Sequence, residues 1–464
     1  MTKILFVNAI NENRRKEVET RYSSLGTSYI ASYLRKYGAF SDVNILEVGQ
    51  SLSSELLRKY NPDFVGISSV TQNFNTAKVI AAKIKKELDV PVIIGGHHIT
   101  ALPNNLTESM DVAVLGEGEQ TTLELVEAYE ENGLDKRRLS KIPGIAYRYR
   151  NKLIITPRRA LIRPLDRIPF PARDLLHLNP ANIYILTSRG CPYRCVFCSS
   201  SFFWRDIRFF SADYVVSEIV EVVEKYNTRY VNIYDDLFTI NKKRLRKIVR
   251  LIEKEKLGQK VEFACLARAN LVDDEVASLL KAMNVKTIAL GLESGSDRIL
   301  GYLKQSTVTV KQNKNAVNIL KKHKFNVNAS FIIGSPTETK EDALQTLDFL
   351  KRSKLDGGET YVLLPFPGTE VWQYGNQTGQ LNDFMNWDDF EIYFEENPSK
   401  RVILSDGLSR EELLSILIRF KKEWNRRAHT HVIRQALRHP TKIMPYIWKR
   451  ILKLKTNSFH LSKQ

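Results

Sequence analysis

Cysteine is scarce in this chain, with four in 464 residues. A disulfide-stapled secreted scaffold spreads many more along its length, so that class is excluded. No run approaches the roughly 18 consecutive apolar residues of a membrane span. The N-terminus turns polar at Asn8, too soon for a secretory leader, and the expected location is the cytoplasm. No Gly-x-Gly-x-x-Gly follows the first apolar run, which removes the fingerprint of a nicotinamide dinucleotide site. Internal repeats and low-complexity tracts are missing too. Acidic residues stop at Glu423, whereas ten Lys or Arg follow between Arg426 and Lys463. More than half of the net charge of +18 therefore lies in the last 41 residues. A tail of that kind suits an anionic membrane surface, an anionic substrate or nucleic acid.

What is present is an ordinary globular composition, 43% hydrophobic and 26% charged, with enough apolar material for the two or three domains its length implies. Over residues 1–140 short apolar runs (Ile4–Val7, Val43–Val48, Phe64–Ile67, Val92–Ile94, Val112–Leu115) alternate with helical patterns (Ser28–Tyr37, Leu52–Tyr60, Asn75–Leu88, Thr121–Asn132). This alternation predicts a Rossmann-like, doubly wound parallel sheet. Several runs end in small or polar residues, among them Ser68–Thr71, Gly95–His98 and Gly116–Glu119. Ligands of such sheets bind at the carboxyl ends of strands. Residues 141–178 read as a linker with a hairpin, Ile145–Arg150 and Leu153–Thr156, followed by Pro164, Pro169 and Pro171. From 179 to 375 six further strand-helix steps suit a partial (β/α)6 barrel, and 376–464 form a basic, mainly helical extension.

Three of the four cysteines, Cys191, Cys195 and Cys198, fall within eight residues, directly after the first strand of the second region. Thiolates are the usual ligands of iron-sulfur clusters, and three of them leave one iron of a cubane open. The competing reading is a Cys3His zinc site, with His177 the nearest fourth ligand in sequence. Cys265 stands apart and reads as a buried structural thiol.

The spacing Cys-x3-Cys-x-aromatic-Cys, with Phe197 before the last cysteine, resembles the signature of the radical S-adenosylmethionine (SAM) superfamily. Further segments are similar in the same order: Asp235-Asp236, Gly291–Ser296, Phe331–Thr339 and Pro365–Thr369, although Thr337 stands where the family usually has glycine. The resemblance implies a 4Fe-4S cluster on the three cysteines, cleavage of SAM to a 5′-deoxyadenosyl radical, and hydrogen abstraction from a substrate. It implies SAM contacts at Glu293, Ser294, Asp235 and Arg268. For Glu293 the competing reading is a strand-end carboxylate paired with Lys or Arg. For the aspartates it is a helix cap.

Residues 1–140 resemble the cobalamin-binding domain that precedes many such cores, through Leu25–Leu34, Pro62–Ser68, Gly95–His98 and Gly116–Thr121. By that resemblance cobalamin is contacted by Ser68, Thr71, Gly95, Gly96, Gly116, Glu117 and Gly118. The Asp-x-His-x-x-Gly motif that supplies a cobalt ligand elsewhere is absent. Neither His97 nor His98 is an obligatory ligand, and a fold that has lost its ligand is the alternative. The implied activity is methylation of an unactivated carbon of a small-molecule or lipid-like substrate, with an electron donor such as flavodoxin or ferredoxin. The alternatives are cyclisation or oxidative rearrangement, or a non-catalytic metal-binding protein. Specificity is expected from 141–178 and 376–440, including Trp387–Phe390. Ile443, Ile447, Ile451 and Leu454 recur at helical spacing among Lys449, Arg450, Lys453 and Lys455 beside Trp448. That pattern suits peripheral membrane contact or packing on the barrel; nucleic acid is disfavoured for want of stacking aromatics.

Overall fold

The computed structural model describes residues 2–10, 24–40, 42–49 and 51–438. The basic segment around Ile443–Leu454 lies outside the described residues. In the first sheet, β1 (Ile4–Ala9), β2 (Val43–Val48), β3 (Phe64–Ser68), β4 (Val92–Gly95) and β5 (Val112–Val114) run parallel in the order β2-β1-β3-β4-β5. β1 is buried throughout, as expected of a parallel strand covered on both faces. The direction of winding reverses between β1 and β3, and a crevice opens there at the carboxyl ends. Helices α1 (Leu25–Tyr37) and α2 (Glu119–Asn132) pack together beside it.

The hairpin placed by the sequence in a surface linker belongs to this sheet. β6 (Ile145–Tyr149) pairs antiparallel with β5, and β7 (Lys152–Ile155) pairs with β6 around Arg150 and Asn151, both with left-handed φ. The outer edge of β5 would otherwise present unpaired backbone groups. Ile145, Ala146 and Tyr147 are buried in covering it.

The second sheet begins with β8 (Ile183–Ile185). β9 (Ser188–Arg189) and β10 (Arg208–Phe209) form a separate two-stranded ribbon, with α3 (Ser199–Trp204) between them. β11 (Tyr230–Ile233), β12 (Glu262–Ala267), β13 (Val285–Glu293), β14 (Asn326–Ile333) and β15 (Gly357–Val362) then follow, every step parallel. The order β15-β14-β13-β12-β11-β8 has two unjoined ends, so this is an open six-stranded barrel. Burial alternates along β14: Val327, Ala329, Phe331 and Ile333 are buried, while Asn328 and Ser330 between them reach the lumen. α4 (Asp297–Lys304) follows β13, and α5 (Arg410–Arg438) packs along β15, where Trp424 Nε1 donates to Thr360 Oγ1 at 3.0 Å. Arg427 on α5 donates to the carbonyls of Leu350, Ser353 and Leu355, at and just beyond the end of helix Lys340–Arg352, where carbonyls run out of intrahelical donors. Trp387 and Phe390 do not face a site: both are buried with Trp372 in one aromatic core. Among the described residues no helix is long and apolar enough to cross a membrane.

The loop after β14 carries a pH-sensitive element. Glu338 is fully buried; its Oε2 accepts from the N–H of Gly334 at 2.6 Å and of Ser335 at 3.0 Å, while Oε1 has no partner. Burial outweighs those bonds and pushes its carboxyl up to about 7 from an ordinary 4.5. A raised carboxyl favours folding below its unfolded value and loses that advantage as pH rises through the folded one. Stability should therefore fall between pH 4.5 and 7, by a loss on the order of 3 kcal/mol from this group. Urea unfolding across that range is expected to show the slope in the wild type and a flatter profile in Glu338→Gln.

Candidate active site

The cysteine loop leaves the carboxyl end of β8, and the residues before it are fastened from below. Asp235, at the end of β11, accepts from the N–H and hydroxyl of Thr187, each at 2.5 Å, and from the hydroxyl of Ser188 at 2.6 Å. It is fully buried and does not line the lumen. Its neighbour Asp236 does, and accepts from Ser200 Oγ. Burial pushes the Asp236 carboxyl above its usual range, which favours a proton on it.

Cys191, Cys195 and Cys198 all open onto the barrel lumen, a cavity of about 610 Å3. Among the described residues no three His, Cys, Asp or Glu side chains converge as one metal ion would require. The three thiols stand around a shared space instead. His177 is exposed and precedes β8, whereas the cysteines follow it. Burial raises the Cys191 thiol and pushes Cys198 up to about 12, so without a metal both stay protonated. Binding to iron would draw those protons off. Opposite them, Glu293 reaches the lumen from a bulge at the end of β13, with φ of 61°. A non-glycine residue seldom adopts that conformation, and such strain clusters at functional sites. Lys304 Nζ holds it, 3.1 Å from Glu293 Oε1 and 2.6 Å from the Gly291 carbonyl. A Cβ on Gly291 would lie 2.3 Å from the Glu293 carboxylate, which would have to shift from its place beside Lys304. Arg268 also lines the lumen. Ser294 is turned away and fully buried, its hydroxyl 3.0 Å from Thr346 Oγ1.

The crevice of the first sheet is a second space, a cavity of about 200 Å3, between that sheet and the barrel. Ser68, Gly95, Gly96, Gly116, Glu117 and Gly118 line it. Thr71 does not; it is buried behind, its hydroxyl 3.3 Å from His98 Nδ1. The other nitrogen of His98 meets Asn105 Oδ1 at 3.1 Å, so this buried ring is a structural group. His97 faces the crevice, stacked on Phe203 at 4.2 Å, and burial lowers it to about 4, which keeps it neutral. Gly96 has φ of 113°, and a Cβ there would strike the Ser69 carbonyl at 2.2 Å.

The far wall of the crevice comes from the barrel. Arg189 lies just before the cysteine loop, and Phe203 and Trp204 lie on α3 just after it; all three line the crevice. Arg189 donates to Glu117 and to Glu119, both at 2.6 Å, and Arg208 donates to Glu117 at 3.0 and 3.1 Å. All four side chains are buried. Burial works against the charged form of Glu117, but Arg189 and Arg208 outweigh it and hold its carboxyl below the usual range. The sequence brings Glu117 into view as a ligand contact, yet its carboxylate is engaged in joining the two domains. Nothing local marks Arg189 or Arg208, because their carboxylate partners lie far away along the chain.

The radical SAM superfamily matches residues 185–350, and the B12 binding domain matches residues 14–126. A protein of Pyrococcus horikoshii named as an uncharacterized methyltransferase is 34% identical over 404 residues, 83% of this chain and 85% of that one. The chain belongs to the cobalamin-binding radical SAM family. The anaerobic magnesium-protoporphyrin IX monomethyl ester cyclase of Rubrivivax gelatinosus is 28% identical over 431 residues, 89% of this chain and 75% of that one. In fold, the chain is similar to the radical SAM methyltransferase TsrM from Kitasatospora setae, solved with cobalamin and a 4Fe-4S cluster, with a TM-score of 0.68 at 18% identity. That likeness covers 82% of this chain and 79% of the other.

Membership brings three cofactors: a 4Fe-4S cluster, SAM and cobalamin. The residues present suit them. Three thiols ring one lumen beside a carboxylate, an ammonium and a guanidinium. The crevice is floored by glycines, and a Cβ on Gly116 would point into open space. A broad, flat group can approach such a backbone closely.

Proposed function

We propose that this enzyme methylates an unactivated carbon of a small molecule held in the barrel lumen. The observation that carries this reading is the shared wall. One segment, Arg189–Trp204, turns its cysteines to the lumen and its Arg189, Phe203 and Trp204 to the crevice. A radical source and a methyl carrier would then serve one reaction space. When bound, the cluster supplies the electron that cleaves SAM to a radical, and cobalamin carries the methyl group.

In this reading Cys191, Cys195 and Cys198 hold the cluster, and Glu293 and Arg268 bind SAM. Ser68, Gly95, Gly96, Gly116 and Gly118 seat cobalamin. Asp235, Ser294, Thr71 and Glu117 hold the walls in place from behind. Asn328, Ser330, Glu359 and Tyr361 offer polar contacts to a substrate, and Tyr393 lines the same lumen. A small-molecule substrate fits this enclosure, and an electron donor such as flavodoxin or ferredoxin supplies the electron. The test is anaerobic turnover of protein reconstituted with iron, sulfide and cobalamin, given SAM, dithionite and candidate substrates. S-adenosylhomocysteine together with 5′-deoxyadenosine is the expected pair. 5′-Deoxyadenosine with a cyclised or rearranged product and no S-adenosylhomocysteine would replace methyl transfer with the chemistry of the Rubrivivax relative's name.

The basic tail supports peripheral contact with an anionic membrane. Flotation with anionic liposomes should recover the full chain, and deletion of 438–464 should abolish it. Unchanged flotation would remove this contact and weaken the case for a lipid substrate.

A further inference from the structure

We propose that Arg268 tunes the reduction potential of the cluster by donating a hydrogen bond to the Cys195 sulfur. The inference rests on the reading that Cys191, Cys195 and Cys198 hold the cluster. Arg268 follows directly on β12, and its side chain is buried against the cysteine loop. Its Nη1 lies 3.3 Å from Cys195 Sγ, and its Nη2 donates to Thr307 Oγ1. The guanidinium lies 3.8 Å from the centre of the Tyr193 ring, inside the same loop. Tyr193 is itself held, its hydroxyl accepting from Asn270 Nδ2 at 3.1 Å.

These contacts leave the guanidinium little freedom. It is stacked from one side and anchored at one nitrogen, with a second nitrogen aimed at a cluster thiol. A planar cation so held keeps its charge and direction whatever the lumen contains. Reduction adds a negative charge to the cluster. A charge-assisted donor on a ligand sulfur stabilises that added charge, and hydrogen bonds to sulfur are among the determinants of cluster potential. The Arg268 Nε is buried and has no partner among the described residues, so the side chain is held through its two terminal nitrogens.

The experiment is an EPR-monitored redox titration of the reconstituted holoenzyme without SAM, on wild type, Arg268→Gln and Thr307→Val. Iron and sulfide content are measured on each sample. Arg268→Gln should lower the potential, making reduction harder by about tenfold in the equilibrium constant, which for one electron is about 59 mV. Thr307→Val, which frees the anchored nitrogen, should shift it the same way by less. An unchanged potential in both variants, with full iron content and only weaker SAM binding, would overturn the proposal and leave Arg268 as a SAM contact. If Arg268→Gln fails to take up iron, Thr307→Val decides alone: a lowered potential supports the proposal and an unchanged one overturns it. A wild type that assembles no 4Fe-4S cluster would instead refute the underlying reading of the cysteines.

Discussion

Cys195→Ala is expected to strip most of the iron from the reconstituted protein and to take 5′-deoxyadenosine formation to background. Three thiols face one lumen, and a cubane held by two of them would expose a second iron to exchange and oxidation. Cys195 is also the sulfur that Arg268 addresses, so its loss leaves a buried guanidinium with one partner fewer. Folding should survive, because the Cys195 side chain is only half-buried and the Arg268 guanidinium keeps its bond to Thr307. Cys265→Ala is the matched control. Cys265 is buried on β12, where burial pushes its thiol up to about 12, and it is not among the residues lining the lumen. That variant should keep iron content and activity. Iron and sulfide analysis, the absorption spectrum and mass spectrometry of the nucleoside product read all of these outcomes. Full iron retention in Cys195→Ala would refute the assignment of the cluster ligands.

The second large effect concerns the join between the domains. Glu117, Glu119, Arg189 and Arg208 form a buried set of two carboxylates and two guanidiniums. Replacing such a set with well-packed apolar groups can be neutral, but removing one member leaves a buried charge without its partner. Glu117→Gln leaves Arg189 and Arg208 facing the single carboxylate of Glu119, at an expected cost of about 3–5 kcal/mol. Denaturant unfolding should show it as a lower midpoint, with the first domain released from the barrel. Retention of cobalamin during gel filtration should fall as well, since Arg189 and Trp204 wall the crevice only while the clamp is closed. A depressed carboxyl contributes stability above its unfolded value and loses it as pH falls through the folded one. The wild type should therefore lose this contribution below the ordinary value of 4.5, and the variant should lack that acid transition. An unfolding midpoint within error of the wild type would show that the clamp adds nothing in solution.

Much of this enzyme is legible along the chain because it depends on local period and spacing. Apolar runs separated by amphipathic stretches specify parallel strands with crossover helices, whatever they later contact. Cys191, Cys195 and Cys198 must wrap a common space because so few residues separate them. Gly291, Glu293 and Lys304 belong to one strand, its bulge and the next helix, so one stretch of sequence holds the turn, the carboxylate and its partner.

Other features exist only once the chain has folded. Asp235 and Asp236 are adjacent and chemically alike, but successive side chains at a strand end point to opposite sides. The curvature of the barrel sends Asp236 to the lumen and Asp235 beneath Thr187. Glu117 carries the same motif position whether it touches a ligand or an arginine; the packing of β9 and β10 against the crevice selects the arginines. The hairpin at 145–155 is recognisable in the sequence, but its place beside β5 is set by the unpaired edge it covers. Sequence by itself thus determined the main strands and helices, their order and the grouping of three cysteines in one loop, all governed by interactions over a few residues. Tertiary structure decided which of two neighbouring carboxylates faces the chemistry and which charges close the domain interface. Those choices depend on burial and on partners 47 to 91 residues away, which no local pattern records.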